Sequence, residues 1–243
     1  MLSYEPQYRS IKKSPSELIG AFAEVIDKPD KHYLIASIAT ACGPSVVAEA
    51  AINTYIHLIS DLANDDTLYE SNFIDSYKKR IKEIIEWLNQ KIFGAGERLR
   101  VQPMMSLTAV GIDADGQASF CQVGNTYAVF CQSEKTILAT RPMTCDYDYS
   151  KAGLQTYQED KVTITALGTS RTVFPHFTKT TITEDADVFL LSSGFSRNMS
   201  RTINTFNTTA TKSALSDVLM KEIEQARSIA CTDAVLAIHP IIL

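Results

Sequence analysis

Four short apolar runs follow one another at 107–112, 118–123, 127–131 and 136–139, separated only by turn-length segments. The first separation, Asp113-Ala114-Asp115-Gly116, has the residues of a tight hairpin and lacks the rest of a twelve-residue calcium loop. Runs this close leave no room for crossover helices, so they predict antiparallel neighbours. Further strands are expected at 22–26 and 33–38, joined through Lys28-Pro29-Asp30-Lys31, and at 162–164, 187–191 and 234–238. Gly43-Pro44-Ser45 opens a helix with Ile52, Ile56, Ile59 and Ala63 on one face. A second helix is predicted over 71–93, with Phe73, Tyr77, Ile81, Ile85, Leu88 and Ile92 as its stripe and Gly94 as its stop. Segment 142–160 reads as a short helix and loops, and 213–229 as an amphipathic helix. Strands, two adjacent helices, many strands and one late helix describe an α+β chain rather than alternating βαβ. The expectation is one domain over 1–243, a β-sandwich of two antiparallel sheets flanked by helices.

Composition narrows the function classes. The chain is 45% hydrophobic and 21% charged, as soluble globular proteins are, and its net charge of −5 argues against nucleic acid as a partner. No apolar run is long enough to cross a bilayer, and the polar stretch 1–13 lacks a secretory signal, so no membrane role and a cytoplasmic location are expected. The five cysteines are scattered with no Cys-x-x-Cys pair, and read as buried free thiols; a Cys121–Cys131 bridge depends on geometry. The four histidines form no ligand pattern, which argues against zinc.

The run 187–191 feeds Ser192-Ser193-Gly194-Phe195, a buried strand ending in a glycine turn. Rigid backbone followed by an exposing turn suits a metal-binding aspartate, and this chain has Ser193 there. Other phrases accompany it: Met105-Ser106-Leu107-Thr108-Ala109-Val110, Gln122-Val123-Gly124-Asn125-Thr126-Tyr127-Ala128-Val129, Ile164-Thr165-Ala166-Leu167-Gly168 and Thr232-Asp233-Ala234-Val235-Leu236. In that order they resemble phrases of the type 2C metal-dependent serine/threonine protein phosphatases: the strand beginning Gly-Thr-Thr, "HVGDSRAY", "ITRALG" and "DDAS". The segment 187–195 itself is similar to "DxFLLCSDGL". The resemblance spans nearly the whole chain and implies a β-sandwich with helices outside it. In the family, two divalent metals at one end of that sandwich activate a water against phosphate.

The resemblance also locates the departures. The family's "NED" is matched by Ser16-Glu17-Leu18, with Leu18 at the carboxylate. "DGMGGH" is matched by Ser37 to Cys42, with Ser37 for Asp and Ile38 for Gly. Ser193 replaces the third acid ahead of a retained Gly194, and Thr232-Asp233 keeps one acid of a pair. Lys13 stands for a phosphate-binding Arg, with the charge but not the planar fork.

A carboxylate and a unit positive charge about 4 Å apart attract by roughly 4 kcal/mol at an effective dielectric near 20. Losing two such ligands removes on the order of 10 kcal/mol of gross attraction from a divalent site. Neutral hydroxyls are weak replacements around a hard cation. The expectation is therefore a catalytically inactive member, a pseudophosphatase without bound Mg or Mn. It would act by binding a protein partner, such as a phosphoprotein or a signalling or assembly complex. The alternative is an active metal-dependent phosphatase whose site is rearranged, with Glu17, Asp233 and acids such as Asp146, Asp148, Asp185 or Asp187 assembling one metal position. A third reading makes Lys13, Ser37, Ser193 and Thr232 a pocket that captures phosphate without cleaving it. Segment 196–212 reads as a polar loop beside this corner.

Overall fold

The strand β3 (Lys31–Cys42) is buried on both faces from Tyr33 to Ala41, which fixes its place inside the molecule. Leu34, Ala36 and Ile38 point one way, into a core shared with a second sheet. Tyr33, Ile35, Ala39 and Ala41 point the other way, toward helices. A computed structural model describes residues 2–11, 17–29, 31–70, 72–132, 135–147, 160–163, 165–196 and 233–242, together with 218 and 221. Around β3 stand β1 (Leu2–Ile11), β2 (Glu17–Lys28), β4 (Met104–Ile112), β5 (Gln117–Val123), β6 (Tyr127–Gln132) and β7 (Lys135–Leu138). Later come β8 (Thr144–Tyr147), β9 (Asp160–Thr163), β10 (His176–Thr181), β11 (Asp187–Leu191) and β12 (Asp233–Ile242).

Two five-stranded sheets result. The helix-covered sheet runs β10-β5-β4-β3-β2 and the facing sheet β1-β12-β11-β6-β7, antiparallel throughout. The expected sandwich of two antiparallel sheets is the architecture found. Helices α1 (Ser45–Ala63) and α2 (Phe73–Leu99) cover the outer face of the first sheet with Tyr55, Ile59, Tyr77, Ile81, Ile85 and Leu88. Each is fully or almost fully buried, and full burial of one such side chain is worth about 1.5–3 kcal/mol. The hairpin at Asp113 is a turn: its carboxylate accepts from the amides of Asp115 and Gln117, and Gly116 takes φ 76°.

Several expectations are corrected. Gly94 does not end α2, which continues to Leu99 and stops at Arg100 in the left-handed region. A helical glycine costs about 1 kcal/mol against alanine. The buried face on either side of it offsets that, because Ile92 and Gly96 are buried and Gly96 lies directly against Pro103. Within 142–160, read as a short helix and loops, residues 144–147 form β8, which pairs with β9, and 148–159 lie outside the described residues. As the scattered cysteines imply, buried Cys121 and Cys131 lie in different sheets and form no disulfide. Two edge strands, β1 and β10, carry too many polar residues to show an apolar period. Of 213–229, Val218 and Lys221 are described and both are helical; the rest lies outside the described residues. No described helix is long and apolar enough to cross a membrane.

Candidate functional site

The corner of interest forms where three strands end together. β2 begins at Glu17, β12 begins at Asp233, and β11 ends at Leu191, two residues before α3 (Ser193–Ser196). Ser192 is fully buried and sews the strands together: its amide donates to the Ala234 carbonyl, and the Ala234 amide donates to its Oγ at 2.8 Å. That leaves Ser193 as the first residue free to turn out of the sheet. Its Oγ donates to Oε1 of Glu17 at 2.9 Å. Gly194 follows so closely beside Asp233 that a Cβ there would lie 1.4 Å from the Asp233 Oδ1. Glu17, Ser193, Gly194 and Asp233 are thus gathered at one place.

The other predicted positions go elsewhere. Ser37 is not at a strand end but in the middle of β3, and it is fully buried. Its Oγ lies 2.5 Å from the Tyr55 hydroxyl of α1 and donates to the Thr108 carbonyl at 3.2 Å. Ser37 is therefore a polar tie between sheet and helix. Ile38 fills the core between the sheets, and Leu18 packs against the helix-side core. Lys13 and Thr232, and with them 197–212 of the polar loop, lie outside the described residues.

Sequence reasoning passed over Cys42. In the β2–β3 register Glu17 stands opposite Cys42, five residues beyond Ser37, or roughly 17 Å along the strand. Burial, and after it the Glu17 charge, push the Cys42 thiol above its ordinary range, so it stays protonated at neutral pH. The Gly43-Pro44 pair that follows Cys42 was the available signal, since the chain must leave the sheet there to start α1.

Chemically, the corner offers two carboxylates, a hydroxyl and a neutral thiol. Ser193 donates a hydrogen to Glu17, which takes up a carboxylate lone pair that a cation would need. Among the described residues no group of three or more His, Cys, Asp or Glu is placed to hold a metal ion. The donors described at the corner are by themselves fewer than a pair of divalent cations wants, each taking several oxygen ligands.

No protein-family model matches the chain, and no curated protein matches it in sequence. Solved structures do match in shape. A serine/threonine phosphatase of S. agalactiae is 16% identical with a TM-score of 0.72, over 98% of this chain and 99% of that one. The Mycobacterium tuberculosis serine/threonine phosphatase PstP/Ppp is 14% identical with a TM-score of 0.70, over 97% of each chain. PppA of Pseudomonas aeruginosa, described as a key regulatory component of T6SS, is 12% identical with a TM-score of 0.67, over 98% of each. A PstP catalytic domain of the same shape is a complex with two manganese ions, at TM-score 0.72 and 13% identity. The chain has the fold of these phosphatases from end to end, as the type 2C resemblance implies.

Proposed function

We propose that this chain is a pseudophosphatase, a phosphatase-shaped cytoplasmic protein that acts by binding a protein partner and not by turning over phosphate. The hydrogen bond from Ser193 to Glu17 carries the reading. It sets a neutral donor where the resemblance implies a metal-binding acid, and it engages one of the two carboxylates left at the corner. Leu18 supports it, since the side chain next to Glu17 packs against the helix-side core of the first sheet. A regulatory rather than catalytic role has a counterpart among proteins of this shape in PppA, described as a regulatory component.

The second reading is an active enzyme whose metal site is rearranged around Glu17 and Asp233, which the fold does bring to one corner. The phosphate-capturing pocket loses ground, because Ser37 is committed to Tyr55 inside the molecule. Calorimetric titration with Mn²⁺ and Mg²⁺, alongside hydrolysis of a phosphoserine peptide, separates the first two. No metal binding and no turnover is the expected result. Metal-dependent turnover that Asp233→Ala abolishes would overturn the proposal.

A further inference from the structure

We infer that the outer edge of β2 is a docking site for an extended apolar segment of a partner protein, which joins the helix-covered sheet as an additional strand. The inference is independent of whether the corner hydrolyses phosphate. β2 is the last strand of its sheet, and among the described residues its outer edge pairs with nothing. Its backbone donors and acceptors along that edge are therefore available to another strand.

The surroundings of this edge select its occupant. A groove of about 550 Å³ runs along it, floored by residues 19–23. Pro6 and Tyr8 of β1 form one wall, and Asn53, Ile56 and His57 of α1 form the other. Both faces of the strand thus open into one groove: Ile19 and Ala23 pack toward the inter-sheet core, while Phe22 packs toward the helices. An added strand sends alternate side chains to its two faces and so uses both walls at once. These walls also explain why most of β2 is half-buried despite its edge position. Walls on both sides of the floor favour a single strand, paired at roughly 4.8 Å, over the edge of a second whole domain. A single strand fits between them. The five floor residues measure roughly 17 Å in the extended form. Beyond the floor lies Glu24, which no cation reaches among the described residues. The occupant is therefore a run of about five residues, apolar, alternating and flanked by Lys or Arg.

The test selects a random twelve-residue peptide library, displayed on phage, against the full chain. Enriched peptides should alternate apolar residues beside a basic flank, and binding should slow amide exchange over residues 19–24 at least tenfold. Asn53→Trp, on the exposed helix wall, should weaken binding at least tenfold with an unchanged melting temperature; His57→Trp serves if that variant melts early. The same peptide N-methylated at alternate residues should not bind. The proposal fails if no peptide is enriched over the Asn53→Trp control, or if the N-methylated peptide binds equally well. It fails too if sedimentation shows a dimer that Asn53→Trp dissolves while no peptide is enriched.

Discussion

Ser193 and Glu17, 176 residues apart in sequence, meet through a 2.9 Å hydrogen bond at the end of the sandwich. The contact joins the second residue beyond β11 to the first residue of β2, so each sheet of the sandwich contributes one side of it. Replacing the hydroxyl by a carboxylate tests what this corner lacks. Ser193→Asp places a third acid beside Glu17 and Asp233, and without metal it should cost about 1–3 kcal/mol by like-charge repulsion. Mn²⁺ should raise the melting temperature of that variant and leave the wild type unmoved, as a thermal melt with and without the ion will show.

Gly194 and Gly94 make a contrasting pair. A Cβ on Gly194 meets the Asp233 carboxylate, so Gly194→Ala should destabilise by about 1–3 kcal/mol. A Cβ on Gly94 meets nothing within 4 Å inside α2, so Gly94→Ala should stabilise by roughly 0.5–1 kcal/mol. Urea unfolding of the two variants checks both signs.

Ser37→Ala leaves the fully buried Tyr55 hydroxyl without its partner and should cost about 1–3 kcal/mol. Tyr55→Phe should cost less, because Ser37 keeps its bond to the Thr108 carbonyl. The double variant should fall short of the sum by about 0.5 kcal/mol or more. Ser37→Asp, at the position the type 2C resemblance pairs with an acid, should cost about 3 kcal/mol or more by burying a charge. It should confer no metal binding by calorimetry.

Asp113 gives a pH prediction. Burial raises its carboxyl pKa above the usual carboxylate range, against amide hydrogen bonds that pull it down. A raised acid favours the folded state most below the unfolded pKa, and that contribution is lost as pH rises through the folded value. Asp113→Asn keeps an oxygen acceptor and removes the charge. The variant should gain on the wild type as pH climbs from about 3 to 6, in matched urea titrations, and hold that gain at neutral pH.

The apolar period located the strands that are buried on one or both faces, from β3 through β6 and at β11 and β12, because burial forces the pattern. It missed β1 and β10, whose edge positions tolerate polar residues. At the corner, Ser193, Gly194 and Asp233 were legible because a strand end and a glycine turn mark them. Cys42 was not, since expecting β3 to stop near Ile38 misplaced the strand end that faces Glu17. Only the pairing register shows that Ser37 sits too early in the strand to share the corner.

The first and last of the described strands, β1 and β12, zip together from Leu2–Ile242 to Ile11–Asp233. β12 lies between β1 and β11, so the facing sheet cannot close while β12 is still inside the ribosome. Until then β1 has no neighbour, and the helix-covered sheet keeps one face bare. A nascent chain of this protein is expected to lean on holdase chaperones until β12 emerges. A product cut short before Asp233 would then be cleared by proteolysis rather than accumulate half-built.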